Sequence, residues 1–422
     1  MLALSLVALA LSICEVSSAA TGFASPPAEL FSPLVAQKVL KTAQSLSNPP
    51  QYPQYTDRVN GEWIWFSPDQ WTAGFFPSTL YAMHERTKLC GARAGNAEEW
   101  LTLGRAWSTG EIPLETHTGV GHDVGFLSYP FMDELKVNAK NQTAIQAINA
   151  FAAHLAARFN PVVGCTRSWD SSDPTDFQAR YCQAVQLRLG SLTCIMQVII
   201  DNMMNLEVLF ASEALTGNHT LREIAISHAD KTMVNHIRAN GGSFHVVDYN
   251  STTGAVIRQR TSQGYADNST WSRGEAWGIY GFANMFKHTR KFDYLQTARK
   301  MAKYWITNTP SDGIIPWDFN APLVPPRPAD SSAATIAANG LLLLADQELS
   351  ILNITGSIYY TNEVIKMLDA NTKLAWRPAW QSLLANGTVN NPAQNNLTGI
   401  VYGDYFFIKA GNELVSRGLA RC

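Results

Sequence analysis

The chain has 422 residues, of which 46% are hydrophobic and 16% are charged, and its formal net charge is −2. This length and composition suit one large globular domain or two of ordinary size. The small net charge and the lack of a basic run argue against binding to nucleic acid, and the many aromatic residues indicate either a large core or surfaces that stack on sugars.

The first twenty residues resemble a secretory signal peptide. The run "MLALSLVALALSICEVSSAA" is apolar and ends in small residues, although an early Lys or Arg is missing. We therefore expect residues 1–20 to be removed, residues 21–422 to form a single domain, and the protein to be secreted and extracellular. No later apolar stretch is long enough to span a membrane, so no membrane partner is expected.

Sequons and cysteines add to this expectation. Seven N-x-T sequons predict a glycoprotein, at Asn141, Asn218, Asn250, Asn268, Asn353, Asn386 and Asn396. Removal of Cys14 with the signal peptide leaves five cysteines, and we expect one disulfide among them, whose pairing the sequence leaves open. No Cys-x-x-Cys pair or His/Cys ligand spacing is present, so a structural metal is not expected.

Helical periodicity dominates the rest of the chain. Apolar residues recur at three- and four-residue spacing in about ten to twelve stretches, for example "TAIQAINAFAAHLAARF" and "AATIAANGLLLLADQEL". Only "SFHVVDYNSTTGAVIRQR" has a β-like pattern, and it indicates a hairpin. The sequence thus predicts an all-α toroid of helical hairpins, with a central cavity lined by loops and inner-helix ends. A helical bundle without a barrel is the alternative.

One stretch interrupts this pattern. Residues 179–197, "ARYCQAVQLRLGSLTCIMQ", separate "DPTDFQ" from "VIIDNMMN". Phe177-Gln178 and Met196-Gln197 resemble two versions of one junction. We hypothesise that much of the stretch is a translated retained intron, with a genuine helical insertion as the alternative. Sequencing of the transcript across these codons distinguishes the two.

Two acidic residues stand in unusual surroundings. In "GHDVGFLSYPFM", glycines flank His122-Asp123, which suits either a close backbone approach that presents an acid or an ordinary helix N-cap. In "IIDNMMNLEVLF", Asp201 lies within an apolar helical run, and Asn205 falls on the same face. Because a carboxylate removed from water is costly, Asp201 has either a structural partner or a proton.

Arg273 and Trp277 lie one helical turn apart in "TSQGYADNSTWSRGEAWGIYGFANMF", and glycines at 274, 278 and 281 indicate close packing along the same helix. Arginine can hold a carboxylate and tryptophan can stack on a sugar ring, so this pair suits an acidic sugar. A structural ion pair of Arg273 with Glu275 or Glu213 is the alternative.

Two more stretches are individually typical of core positions. The first is "QWTAGFFPSTLYAM", an aromatic loop with Trp71 that runs into a helix, and the second is "GSFHVVDY", which contains His245. Taken together and in chain order, however, these stretches resemble the unsaturated glucuronyl hydrolases of glycoside hydrolase family 88. The similarity covers roughly residues 60–410 and rests on "WTAGFFPS", "HDVGF", "RSWD", "IIDNMMNLEVLF", "QGYADNSTWSRGEAWGIYG", "DSSAATIAANGLL" and "YGDYFF".

The resemblance implies a fold and a set of roles. The fold is an (α/α)6 six-hairpin barrel, and the reaction needs no metal or organic cofactor. Asp201 is implied as the general acid and base, and Asp123 as a second essential acid in the same pocket. The residues implied to surround the substrate are His245, Gln263, Arg273, Trp277 and Trp71. The family usually has Gln where Glu275 stands, and this acid is expected to alter the local field or to pair with Arg273.

The implied substrate is a lyase-generated oligosaccharide whose terminal uronic acid carries a C4=C5 double bond. Asp201 would protonate C4, and water activated by the same carboxylate would add to C5. Such a group needs a raised pKa, which an apolar helix and Asp123 would both provide. We expect a monomer.

The alternatives are an unsaturated rhamnogalacturonyl hydrolase with the same chemistry, an (α/α)6 sugar isomerase or epimerase that would use His122 and His245, and a non-catalytic secreted sugar-binding protein.

Overall fold

A computed structural model of the chain describes residues 24–169, 195–323 and 327–422. These residues build two concentric rings of helices, and the chain alternates between the rings. The outer helices are α1 (Pro33–Ala43), α3 (Ala97–Ser108), α6 (Gln142–Ala157), α9 (His219–Asn235), α11 (Phe292–Asn308) and α13 (Ile354–Ala375). The inner helices are α2 (Phe75–Cys90), α4 and α5 (Val124–Leu127 and Tyr129–Val137), α7 and α8 (Asn202–Asn205 and Glu207–Thr216), α10 (Ser272–Thr289), α12 (Ser331–Ser350) and α14 (Val401–Ser416).

The inner helices form a closed ring. Each inner position packs against two inner neighbours, and the ring closes where α14 meets α2. Because outer and inner helices alternate as antiparallel hairpins, all the inner helices begin at the same end of the ring. This arrangement is the predicted (α/α)6 barrel.

The outer helices begin at positions that the sequence marks clearly. The side chains of Asn141, Asn218 and Asn353 cap α6, α9 and α13, each accepting a hydrogen bond from a backbone N–H in the first turn. Such caps satisfy donors that have no partner within the helix. Three of the predicted sequons therefore also serve as helix caps.

Short antiparallel strands lie in the loops between the helices. Three pairs are β1 with β2 (Tyr52–Thr56 and Trp63–Phe66), β3 with β4 (Phe159–Asn160 and Cys165–Thr166), and β8 with β9 (Gly387–Asn390 and Asn395–Thr398). A three-stranded sheet contains β5 (Ile195–Ile199), β6 (Val246–Asn250) and β7 (Val256–Arg260). The pairing of β6 with β7 confirms the predicted hairpin.

The disulfide left open by the sequence joins Cys90 to Cys422. Cys90 ends α2 in the first hairpin, and Cys422 follows α14 in the last, so the bond links the first and last hairpins where the ring closes. Cys165 is a buried free thiol. Cys182 and Cys194 lie outside the described residues.

Two sequence predictions fall largely outside the described residues. The signal peptide at 1–20 lies outside them, as does residue range 179–194 of the interrupting stretch. The last three residues of the interrupting stretch, 195–197, begin β5 and are buried, and Gln197 lies opposite Asp248 in β6. The retained-intron hypothesis stays a prediction. Among the described helices, none has the length and apolar character needed to cross a membrane.

Candidate active site

The residues singled out from the sequence converge at the end of the barrel where the inner helices begin. Trp71, Asp123 and Asp201 come shortly before α2, α4 and α7, respectively, and Arg273 lies in the first turn of α10. The ring of Trp71 lies 5.0 Å from that of Tyr402, near the start of α14. The inner helices therefore direct the positive ends of their dipoles toward one region, which favours an anionic ligand there.

Asp201 is a half-buried carboxyl group at the N-cap of α7, but its side chain makes no capping hydrogen bond. Its Oδ1 is buried and has no hydrogen-bond partner among the described residues. Burial raises the pKa of Asp201 to about 7, and the negative charge of Asp123 adds to the rise, while Arg273 and His122 oppose it. Burial and Asp123 are the two causes predicted from the sequence. Asp201 consequently holds a proton up to near-neutral pH.

Asp123 is held by Asn205. The Asn205 Nδ2 donates to Asp123 Oδ1 at 3.1 Å, and the Asn205 Oδ1 accepts from the backbone N–H of Phe126 at 3.1 Å. Gly125 makes this approach possible, because a Cβ there would lie 2.5 Å from the Asn205 Cα. The alternative of an ordinary N-cap is wrong, since the Asp123 side chain makes no capping hydrogen bond to α4. Asn205 thereby links the two segments that carry the acids.

His245 is a neutral hydrogen-bond donor. Its Nδ1 accepts from the backbone N–H groups of Ser262 at 3.2 Å and Gln263 at 3.4 Å, which assigns the ring proton to Nε2. Burial, aided by the positive charge of Arg273, holds the pKa of His245 well below its usual range. The Nε2 atom is buried without a partner among the described residues. It is therefore available to donate to a ligand.

Arg273 is buried, and its hydrogen bonds orient Gln263. The Nη1 atom of Arg273 lies 2.9 Å from Asp330 Oδ2 and also donates to the carbonyl of Thr388. The Nη2 atom donates to Gln263 Oε1 and to the carbonyl of Val389, both at 2.7 Å. Because the guanidinium engages the amide oxygen of Gln263, the amide nitrogen of that residue points its N–H groups elsewhere.

The alternative of an ion pair between Arg273 and Glu275 or Glu213 is wrong. Residues two apart on a helix do not share a face, and Arg273 pairs with Asp330 instead. Glu275 Oε2 accepts from the backbone N–H of Ser243 at 2.8 Å, and Glu213 on α8 pairs with Arg222 of α9 at 2.8 Å. Burial raises the pKa of Glu275 to about 8.

An aromatic cluster connects the beginnings of the inner helices. The ring of Trp71, which is only partly buried, lies 5.5 Å from that of Phe126. The ring of Phe126 lies 5.4 Å from that of Trp277, and Trp277 is fully buried. Trp71 therefore keeps exposed surface for stacking, whereas Trp277 supports the cluster from the core.

Three contributors were not singled out from the sequence. The ring of Trp271 lies 4.3 Å from the ring of His245 and 4.6 Å from the guanidinium of Arg273. Asp330 forms an ion pair with Arg273, and the buried hydroxyl of Tyr402 has no partner within the described ranges. Each of the three lies at the start of a helical run within a quoted motif. That position is the signal that could have identified them.

A cavity of about 300 Å³ lies at the opposite end of the barrel, where the inner helices finish. Its lining includes Lys136 and Lys287, whose charges suit the negative ends of the helix dipoles and pair with Asp133 at 2.7 Å and Glu207 at 3.8 Å. We assign no chemistry to it. In the described ranges no group of three or more His, Cys, Asp or Glu side chains is arranged to hold a metal ion.

No family model matches the chain, but known proteins with similar sequence and fold do. An unsaturated glucuronyl hydrolase of Formosa agariphila is 32% identical over 346 residues, covering 81% of this chain and 78% of that protein. The unsaturated glucuronyl hydrolase of Bacillus sp. (strain GL1) is 30% identical over 298 residues, covering 70% and 72%. The crystal structure of the Bacillus sp. GL1 enzyme, described as responsible for the degradation of glycosaminoglycan, has a TM-score of 0.78 at 25% identity, covering 93% and 97%. The chain belongs to the unsaturated glucuronyl hydrolases, a family of glycosidases with the (α/α)6 barrel fold.

Proposed function

We propose that this hydrolase removes a terminal unsaturated glucuronyl residue by hydrating its C4=C5 double bond, and that it acts as a secreted glycoprotein. The observation that carries the reaction is the state of Asp201. Its carboxyl group keeps a proton because burial raises its pKa to about 7, and its Oδ1 has no partner among the described residues. A group with these properties can donate a proton and recover it in one cycle.

The reaction proceeds in balanced steps. Asp201 donates its proton to C4, and the positive charge that develops at C5 is stabilised by the ring oxygen. The Asp201 carboxylate then takes a proton from water as the water oxygen bonds to C5, which restores the acid. The resulting hemiketal opens by loss of the bond between C5 and the ring oxygen, giving a C5 ketone and a hemiacetal at C1. The hemiacetal expels the remaining saccharide as an alcohol and becomes an aldehyde.

The uronate carboxylate is recognised by hydrogen-bond donors. The amide nitrogen of Gln263 and the Nε2–H of His245 are the two candidates, because their other polar atoms are already engaged. Arg273 contributes its charge from behind Gln263, since Asp330 and backbone carbonyls hold its guanidinium. The converging helix N-termini favour the same anion. Trp71 supplies a stacking face.

Three observations support the cellular setting of this proposal. The Cys90–Cys422 disulfide suits an oxidising compartment, as does an apolar N-terminus. The asparagines of three sequons, Asn218, Asn268 and Asn353, are exposed. Expression in a eukaryotic secretory host, followed by enzymatic deglycosylation, should reduce the mass of the protein and release glycans from these three positions. An unchanged mass would contradict the glycoprotein assignment.

The catalytic proposal is tested with residues 21–422 and an unsaturated glucuronyl disaccharide, following the ultraviolet absorbance of the conjugated double bond. We expect the absorbance to fall, and Asp201→Asn to slow the loss by about a hundred- to ten-thousandfold because the amide cannot donate the proton. A second version lacks residues 179–197 and joins Gln178 directly to Val198. Comparing its rate with that of the full chain tests the retained-intron hypothesis.

Repeating the reaction with added methanol distinguishes hydration from attack at the anomeric carbon. Addition of methanol at C5 gives a methyl ketal with the glycosidic bond intact, whereas attack at C1 gives a methyl glycoside and a free saccharide. Formation of the methyl glycoside would overturn the hydration mechanism. If a folded protein leaves the absorbance of the glucuronyl disaccharide unchanged but lowers that of an unsaturated galacturonyl–rhamnose disaccharide, the substrate is a pectin fragment instead.

A further inference from the structure

Two polar side chains, the partly buried Arg238 and the fully buried Glu275, bind the same loop residue, Ser243, next to the site. Arg238 follows α9, and its Nη2 atom donates to the backbone carbonyls of Ser243 and Ser269. Its Nη1 atom donates to the carbonyl of Asn268 at 3.0 Å. One guanidinium thus joins two loops that are separate in sequence.

Glu275 approaches the same place from α10. The residue is fully buried, and its Oε2 accepts from the backbone N–H of Ser243 at 2.8 Å. Ser243 is consequently fixed at both of its backbone polar groups, by Glu275 at the N–H and by Arg238 at the carbonyl. Such bonds are strong in a buried setting because they are removed from competing water.

The two loops held in this way carry the residues assigned to the uronate. Ser243 lies two positions before His245, and Asn268 and Ser269 belong to the loop that contains Gln263. The loops are also tied directly, since His245 Nδ1 accepts from the backbone N–H of Gln263. A shift of Ser243 would therefore move both donors of the site.

We propose that Glu275 and Arg238 are positioning residues which, by holding the two backbone polar groups of Ser243, fix the His245 and Gln263 side of the sugar site. This inference rests on the proposed function for the roles of His245 and Gln263. The hydrogen bonds that carry it are independent of the reaction.

The chemistry of Glu275 suits this role in its neutral form. Burial raises its pKa to about 8, against the hydrogen bonds from Ser243 and the charge of Arg238. Tyr304 on α11 also interacts with it. A neutral acid accepts from Ser243 as a glutamine would, so Glu275→Gln is a conservative variant that keeps the acceptor.

The test compares Glu275→Leu with Glu275→Gln in the full mature chain. Hydrogen–deuterium exchange is measured for residues 242–247 and 261–271, with α13 as the internal reference. We expect Glu275→Leu to speed exchange in both segments and to lower kcat/KM by about ten- to a hundredfold, because the donors lose their geometry. Glu275→Gln should leave exchange and kcat/KM unchanged.

Arg238→Lys gives a second, independent variant. Lysine keeps the charge but cannot reach several carbonyls in fixed geometry, so the same two segments should exchange faster. Unchanged exchange in Glu275→Leu and Arg238→Lys would overturn the proposal, as would a Glu275→Gln variant as impaired as Glu275→Leu. If Glu275→Leu does not fold, the other two variants decide. If the variants exchange as expected relative to the wild type, but the wild type does not consume the disaccharide, the proposed function alone is refuted.

Discussion

The burial that raises the pKa of Asp201 makes it a proton donor and also reduces the stability of the fold near neutral pH. Its pKa rises from 3.8 to about 7 through burial and the charge of Asp123. Between these values the folded state keeps a proton that the unfolded state has released. The stability contributed by this proton is fully present below about pH 4 and is lost as the pH rises through about 7. Near-neutral pH therefore combines a protonated acid with a weakened fold.

We expect Asp201→Asn to be more stable than the wild type at pH 7.5 by a margin that shrinks toward pH 4. The amide has no proton to lose, and each pH unit in the window contributes at most about 1.4 kcal/mol. Thermal unfolding across this range measures the margin. Glu275 and Asp404 also have raised pKa values, of about 8 and about 7, so only the difference between the two proteins isolates Asp201. A margin independent of pH would contradict the raised pKa.

Asp123 acts on Asp201 through charge, and Asp123→Asn removes that charge while leaving an oxygen that can accept from Asn205. The pKa of Asp201 should then fall, because Asp123 contributes to its rise. Since the acid must be protonated to react, we expect the alkaline limb of the pH profile of kcat/KM to move to lower pH. A lower rate with an unmoved limb would show that Asp123 acts by contact with the sugar instead.

At the scale of the elements, the approach of α10 to α7 places Asp201. A Cβ at Gly281 would lie 2.5 Å from the Met203 Cβ and 3.1 Å from the Met203 carbonyl oxygen. Met203 lies two residues after Asp201, so the two helices can meet here only because residue 281 has no side chain. Overpacking of this kind typically costs about 1–3 kcal/mol.

Gly281→Ala should therefore lower both the free energy of unfolding and kcat/KM. Gly278→Ala is the matched control, because its Cβ would meet the end of the flexible Met301 side chain on α11 at 2.3 Å. That side chain can move, so the control should lose less stability and keep its activity. Chemical denaturation and disaccharide turnover check both variants. Greater loss of activity in Gly278→Ala would refute the role assigned to the α7–α10 contact.

Helices and strands were predictable from the sequence where they depend on residues close together in the chain. Apolar periodicity indicated the helices, and the alternating residues of "SFHVVDYNSTTGAVIRQR" indicated the β6–β7 hairpin, since both patterns follow from which face is buried. Contacts between distant segments were not predictable in this way. Arg273 bonds to Asp330 across 57 positions, and Asn205 bonds to Asp123 across 82. Helix geometry argues against Glu275, two positions from Arg273, but nothing local identifies Asp330 as the partner.

For the whole molecule, closure of the ring gives the barrel two different ends. The inner helices begin where the acids lie and finish at the cavity that Lys136 and Lys287 help to line, so their dipoles favour an anion at the first end and cations at the second. The resemblance in sequence located the acids, but which side chains face each other depends on the ring being closed. The last hairpin supplies Tyr402 to a site whose other members come from earlier hairpins.

The Cys90–Cys422 bond stabilises that closure, because it joins the first and last hairpins through residues 332 positions apart. A cross-link over so long a segment restricts the unfolded chain strongly, and losing such a bond typically costs about 2–5 kcal/mol. We expect Cys422→Ser to unfold at a lower temperature than the wild type while keeping kcat/KM at 25 °C, since α14 still packs against α2. Thermal unfolding with and without a reducing agent provides the control. The reductant should lower the transition of the wild type to that of the variant and leave the variant unchanged, and equal transitions without reductant would show that the ring is closed by packing alone.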